Sequence, residues 1–365
     1  MRLVALLTLV LIAVGAVERA LHEKNLRRAP VRVLVNGTRG KTSVTRLLAA
    51  ALREAGHVTF AKCTGTAAVW ILPDGTEKPL RRRRGARLTE QLPFFRRAAR
   101  SGARAAVVEC MAIRPESQRA MAQLVRPTMV LITNARVDHV DELGKTERDT
   151  LWALAQSIPE GATVVSAEAG LRALGFSPVD PSDEPVDEAY LSGFGYPMFE
   201  DNVRLVLASC ALLGIDRATA LAGMRRAAPD PGQAGPFRIG ECVVVNAFAA
   251  NDTQSSAALL EQIERARGLE GAPIGIVFNN RADREYRLRA FLPLVCALSG
   301  RVCRLIAIGE NAGKVARYYG RRAGVPASAG EPEELLGMPG IVLCLGNIKG
   351  AGLDFIERCR AQGEV

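Results

Sequence analysis

VRVLVNGTRGKTSVTRLLAAALREAG, residues 31–56, is the stretch whose reading decides the fold. Its first five residues form an unbroken apolar and β-branched run, with one arginine, of the kind that lies in a strand buried on both faces. Beyond the loop, Val44, Leu47, Leu48, Ala51, Leu52 and Ala55 recur at helical spacing, and Gly56 supplies a stop. A strand, a glycine-bounded turn ending in Lys-Thr, and a helix together form the context of a phosphate loop. Gly37 and Gly40 let the backbone approach an anion and turn its N–H groups inward. The start of the helix adds partial positive charge. Lys41 is placed to contact the β- and γ-phosphates of ATP, and the Thr42 hydroxyl is placed to hold Mg²⁺. Asn36, Thr38, Arg39 and Ser43 complete the expected nucleotide-contacting set. Only Thr38 and Arg39 separate the glycines, so this loop is shorter than the G-x-x-x-x-G-K-[ST] form.

Outward from this loop the chain alternates strand and helix. Strands are expected at 57–64, 105–111, 128–134 and 162–167, a hairpin around Pro73-Asp74-Gly75, and helices near 89–101, 115–125, 146–157 and 200–213. This rhythm implies a parallel sheet covered by helices on both faces. Residues 176–198, rich in Pro, Gly, Asp and Ser, read as a surface excursion. PDPGQAGP (229–236) is the strongest linker signal. A second alternation follows it, with strands in ECVVVNAF, PIGIVFNN, RLIAIG and IVLCLG and helices at 253–267 and 285–299. The expected architecture is α/β: an N-terminal apolar helix (1–28), a phosphate-loop ATP-binding domain (29–236) and a smaller C-terminal α/β domain (237–365).

Residues 3–17 carry no charge. As a helix they span roughly 22 Å, short of the roughly 30 Å hydrocarbon core, with Arg2, Glu18 and Arg19 able to snorkel. A short membrane span or anchor, a cleaved signal peptide and a buried helix are the three readings. Arg19, Lys24, Arg27, Arg28 and Arg32 follow the run, which places the main body in the cytoplasm if the run is a cell-membrane anchor. The chain has 48 Lys+Arg against 38 Asp+Glu, so its partners are expected to be anionic. Aromatic residues are only 5%, and no reader motif occurs, which argues against nucleic acid. None of the eight cysteines forms a C-x-x-C pair, so they read as small buried hydrophobes rather than a zinc or redox site.

Other candidate site residues cluster where strands end, the edge at which parallel sheets gather ligands. Glu109 ends VVECMAI and is positioned to hold Mg²⁺. TNARVDHVDELG (133–144) gathers Asn134, Asp138, His139 and Asp141 in one loop, and His139 is a third candidate metal ligand. In the second domain, VNAFAANDTQS presents Asn251, and NNRADREYR presents Asp283 and Arg284. For each of these loops the other reading is an ordinary polar turn.

The short loop and the N-x-x-x-D-H-x-D pattern at 134–141 resemble the Mur ligases and folylpolyglutamate synthases. The phrases VNGTRGKTSVTRL, VVECMAI, ITNARVDHVDELG, VNAFAANDTQS and LGNIKGAG resemble most closely the ligase subunits of capsule-type poly-γ-glutamate synthases, over residues 31–365. The resemblance implies an adenine contact for Asn251 and a role for Asp283 and Arg284 around the ribose and phosphates, with ATP between the two domains. It also implies ATP-dependent addition of glutamate to a γ-linked polyglutamate chain, alongside small membrane subunits. Two departures stand out. Only residues 18–30 separate the apolar run from the strand that leads into the loop, which leaves no room for a domain binding a nucleotide-sugar precursor. The stretch DTLWALAQSIPEG (149–161) lacks the lysine that many Mur ligases carbamylate for a second Mg²⁺.

The chemistry implied is phosphorylation of a carboxylate to an acyl phosphate, which an amine then attacks. Lys41 and Mg²⁺ would screen the two anions brought together, with Asp138 and Asp141 as candidate bases. The alternatives are a membrane-tethered ATPase that energises a partner without forming a bond, and another Mur- or folate-type amino-acid ligase. Arg81–Arg84 with Arg87 reads either as a guide for an acidic polymer or anionic membrane surface, or as a solvated loop.

Overall fold

The computed structural model describes residues 1–65, 68–82, 85–194, 196–230, 236–248, 250 and 252–363. The chain divides into two compact units, Met1–Asp187 with Phe199–Asp230, and Glu188–Met198 with Pro231–Val365.

The first unit is built on strands β1 (Val31–Asn36), β2 (Thr59–Cys63), β3 (Val69–Ile71), β4 (Glu77–Pro79), β5 (Ala105–Glu109), β6 (Met129–Ile132) and β7 (Thr163–Val165). Their order is β4-β3-β2-β5-β1-β6-β7. β1 has a parallel partner on each side, which is why its buried centre, Val33–Val35, is apolar. The register pairs Val35 with Glu109 and Asn36 with Ile132, so the loop after β1, the acid ending β5 and the loop after β6 share one sheet edge. The expected hairpin is present as β3 and β4, paired antiparallel.

The helix after β1, Lys41–Glu54, is buried continuously from Ser43 to Leu52. It is enclosed by the helices Glu200–Leu212 and Arg217–Arg225. Sequence periodicity did not separate the second of these; Asp216 caps it, accepting from Thr219 N–H at 2.9 Å. On the other face, Phe60, Phe94, Phe95, Met121 and Val130 fill the core. Lys62, on β2, has no solvent exposure and meets Glu90 Oε2 at 2.8 Å, while Arg82 donates to both oxygens of Glu90 at 2.8 and 3.1 Å.

The N-terminal apolar run extends into a 27-residue helix, Arg2–Arg28, long and apolar enough to cross a membrane. Its apolar window has no buried share, so the buried-helix reading fails. Only its C-terminal end docks. Leu26 is buried, His22 Nε2 lies 2.7 Å from the Leu124 carbonyl, and Arg126 donates to Glu23 at 3.0 Å.

The second unit contains β8 (Phe237–Ile239), β9 (Cys242–Asn246), β10 (Ile274–Asn280), β11 (Val302–Gly309), β12 (Ala327–Ala329) and β13 (Gly340–Gly346), ordered β12-β11-β10-β13-β9-β8 and parallel except at the β8–β9 edge. The helix expected over 285–299 is two short helices, Tyr286–Ala290 and Leu292–Ala297. Pro293 has no N–H to continue the first, and sits instead in the opening turn of the second. Glu188–Met198, from the expected surface excursion, belongs to this unit. Tyr190, Phe194 and Tyr196 stack edge to face there, and Gln262 Nε2 donates to the Met198 carbonyl at 3.2 Å. Six of the eight cysteines are buried and all are free; Cys296 and Cys303 are exposed.

Candidate active site

Two glycines fix the shape of the loop after β1. Gly37 has φ +127°, and a methyl group there would collide with Oγ1 of Thr133. Gly40 has φ +78°, caps the helix, and would meet Asn202 Oδ1 at 2.6 Å. Both the conformation and the close approach demand glycine. Asn36 shapes the loop from the protein side. Its Nδ2 donates to Gln118 Oε1 at 2.9 Å and Ser157 Oγ at 2.8 Å, and its Oδ1 accepts from Gly37 N–H at 2.8 Å.

The loop after β6 clamps the phosphate loop. Asn134 Oδ1 accepts from the Thr38 hydroxyl at 2.7 Å and Arg39 N–H at 3.2 Å, and its Nδ2 donates to the Arg39 carbonyl at 3.2 Å. Arg39 also forms an ion pair with Asp138 at 3.2 Å. His139 follows in a left-handed backbone, φ +46°, with its N–H donating to Asp138 Oδ1 at 3.0 Å. Thr38, Arg39, Asn134, Asp138 and His139 thus form one connected group. Asp138, a candidate base, is engaged with both Arg39 and His139.

Lys41 opens the helix, and its Nζ curls back to donate to the Gly37 carbonyl at 2.6 Å and the Thr38 carbonyl at 3.2 Å. Burial pushes its ammonium below the ordinary lysine range, and nearby Glu109 pulls the other way. Thr42 donates to Glu109 Oε1 at 3.0 Å, and Thr64 N–H donates to Oε2 at 2.6 Å. Glu109 is itself only 3% exposed, and burial raises its carboxyl above the ordinary range despite Lys41 and these two donors. Ser43 is buried behind them.

Asp230 escaped the motif reading. It is 8% exposed, at the end of the first unit. A methyl group on Gly65 would collide with Thr42 Oγ1 and lie 3.3 Å from Asp230 Oδ2, so both side chains face the same glycine. Arg46, from the loop helix, grips Glu77 and donates to the Ala228 carbonyl at 3.4 Å, which draws this segment inward. Asp230→Asn is expected to weaken Mn²⁺ or Mg²⁺ affinity by about 10–100-fold, as loss of a supporting carboxylate does. Titration calorimetry would check this, and an unchanged affinity would make Asp230 a packing residue.

Asp283 and Arg284 lie in a 3₁₀ turn, Ala282–Arg284, just after β10. Arg281 pairs with Asp283 at 2.7 Å and Arg284 donates to the Tyr286 hydroxyl at 3.3 Å. Asn251, and Arg83 and Arg84 of the basic run, lie outside the described residues.

Residues 35–168 match the Mur ligase middle domain, and 234–362 match the C-terminal domain of the poly-γ-glutamate synthase CapB. The PGA synthase CapB of Bacillus subtilis (strain 168) is 33% identical, over 96% of this chain and 95% of its own length. The chain belongs to the CapB family. A second relative, the capsule biosynthesis protein CapB of Bacillus anthracis, is 32% identical over 87% of this chain and 71% of its own length. Among solved structures, a bifunctional folylpolyglutamate synthase/dihydrofolate synthase from Yersinia pestis, complexed with AMPPNP and Mn, superposes with a TM-score of 0.68 at 15% identity, covering 93% of this chain and 91% of that one. That likeness is one of fold. Asp230 falls between the two matched stretches, which is why no family motif pointed to it; the only signal was its place in the Pro/Gly-rich segment.

Proposed function

We propose that this CapB-family chain adds glutamate to a γ-linked polyglutamate chain. It is an ATP-dependent ligase that forms amide bonds, and the fold neighbour complexed with AMPPNP and Mn supports its working with a divalent metal. The observation that carries the reading is the hydrogen bond from Thr42 to buried Glu109, at the end of a glycine loop that Asn134 ties down. The Thr42 hydroxyl, the Glu109 carboxylate and a phosphate-ready backbone suit Mg²⁺, which is usually held through one or two carboxylates and fills other positions from phosphates and water. No cluster of three or more His, Cys, Asp or Glu able to hold a metal occurs among the described residues, consistent with a site completed by the nucleotide.

In this reading Thr42 and Glu109 hold the cation, and His139, fixed beside Asp138, is the third ligand. When bound, Mg²⁺ neutralises phosphate charge and aligns the terminal phosphoryl group. Gly37, Thr38, Arg39, Gly40 and Ser43 contribute the loop around the phosphates. Lys41 turns from its loop carbonyls towards the terminal phosphate. Lys41 and Arg39 offset the repulsion between that phosphate and the substrate carboxylate, so the acyl phosphate can form. Asn251, Asp283 and Arg284 are proposed for the adenine, ribose and phosphates. The proposed division of labour is an anchor at 1–28, an ATP-binding domain at 29–236 and a ligase domain at 237–365, with the body on the cytoplasmic side and small membrane subunits as partners.

The test is ADP release by the full-length protein with ATP-Mg²⁺, with each amino acid in turn. Dependence on glutamate, with label entering an acid-rich polymer, is the expected result. Release indifferent to amino acids would favour the ATPase alternative. Deleting residues 1–28 is expected to move the protein from the membrane to the soluble fraction. Unchanged sedimentation with membranes would remove the anchor reading.

A further inference from the structure

Arg81 and Arg82, after β4, have no part in the chemistry above, yet they border a cavity of about 940 Å³ at the root of the N-terminal helix. One wall is the helix face carrying Val14, Val17 and Leu21. The opposite wall presents Arg81, Arg87 and Arg96. Arg82 also lines it, but Arg82 and Lys62 already match the charge of Glu90. Among the described residues, Arg81, Arg87 and Arg96 form no ion pair, and of the two acids lining the cavity, Glu18 and Glu90, Glu90 is already engaged, so the lining is net cationic.

We propose that this groove binds one anionic phospholipid, its phosphate on the arginines and an acyl chain along the helix. The proposal rests on the membrane seating of residues 3–17 given above. Its two walls select the occupant. The apolar lining, Val14, Val17 and Leu21, belongs to an exposed helix apolar enough to span a bilayer, and the arginines line the same cavity. A phospholipid carries both an acyl chain and a phosphate, joined at the depth where the walls meet, and basic pockets beside membrane helices take such headgroups. A polyglutamate chain is anionic along its whole length and has nothing to place against Val14, Val17 and Leu21. Arginine also suits a phosphate, which its planar fork meets with two hydrogen bonds.

The experiment uses the full-length protein in a neutral detergent, titrated with phosphatidylglycerol or phosphatidylcholine and read by native mass spectrometry. Flotation on phosphatidylcholine vesicles reads the membrane seating separately. Wild-type protein is expected to float, and to retain one phosphatidylglycerol in preference to phosphatidylcholine. The Arg81→Gln/Arg87→Gln/Arg96→Gln variant should still float but lose at least about tenfold in phosphatidylglycerol affinity. The three single variants, each expected to lose part of that affinity, guard against misfolding of the triple one. Equal affinity for the two lipids, or no loss in any variant, overturns the site while leaving the anchor intact. Displacement of the lipid by a soluble γ-glutamate oligomer assigns the groove to the polymer and also overturns the site. Failure of the wild type to float removes the seating and the lipid site together.

Discussion

Replacing Lys41 by alanine is expected to lower the rate of ADP formation by roughly 10²–10³-fold, the loss seen when one preorganised charge-stabilising group is removed. The side chain is held by its own loop, 2.6 Å from the Gly37 carbonyl and 3.2 Å from that of Thr38. Those carbonyls keep the ammonium poised, and they need nothing from it to stay in place, because Asn134 and Thr133 already tie the loop from the other side. The variant should therefore fold, with an unchanged melting temperature. The loss should fall on kcat more than on KM for ATP, since negative charge develops on the leaving ADP oxygens as the phosphoryl group departs. Lys41→Arg is not expected to rescue it, because a planar fork cannot take the place of a compact ammonium beside a tight turn. Near-normal ADP formation by Lys41→Ala would separate this loop from the reaction.

The second large effect is on stability. Glu90→Gln is expected to cost roughly 3–5 kcal/mol, the price of leaving a buried charge without its partner. Lys62 has no solvent exposure, and burial pushes its ammonium below the ordinary range, with Glu90 opposing that shift. For a unit of this size the loss should lower the unfolding temperature by on the order of 10 °C. Adding Lys62→Met should recover much of it, since an apolar side chain of similar reach can fill the site. A variant whose melting curve overlays the wild type would show that the cluster contributes nothing.

The pH dependence follows from Glu90. Burial raises its carboxyl, but hydrogen bonds from Arg82 and Lys62 outweigh that, and the net shift is downward from 4.5. A depressed acid contributes stability that is present above the unfolded value and is lost as pH falls through the folded one. The wild type should lose stability below about pH 4.5, and Glu90→Gln should lack that part of the slope.

The sheet was legible where the chain is simplest. The run at 31–35 sits between two parallel partners and can be nothing but apolar apart from Arg32, whose guanidinium bonds back to carbonyls at the strand's outer end. The loop, Glu109 and the 133–139 segment were legible too, because topology forces every strand end of a parallel sheet to one edge. Asp230 was not. Its place depends on Arg46 reaching across to Ala228, a contact between residues 182 positions apart that leaves no periodic mark. The role of Asn36 was also hidden, because a polar residue at a strand end reads the same whether it faces a ligand or, as here, Gln118 and Ser157 in the interior. The break at Pro293 could have been read, and apolar spacing across it outweighed the proline.

The docking of the N-terminal helix through His22, Glu23 and Leu26 has a geometric corollary. The helix runs unbroken from Arg2 to Arg28, so the body rides on a shaft and not on a tether. A tether tolerates changes of length, whereas a shaft has a phase. One residue inserted between 18 and 21 would turn the catalytic body by about 100° about the helix axis and raise it by about 1.5 Å. Four residues would nearly restore the azimuth, at a standoff about 6 Å greater. Length variation in this segment should therefore come in whole turns, so that, with the helix seated in a membrane as proposed, the sheet edge proposed to hold the nucleotide keeps one bearing relative to that plane.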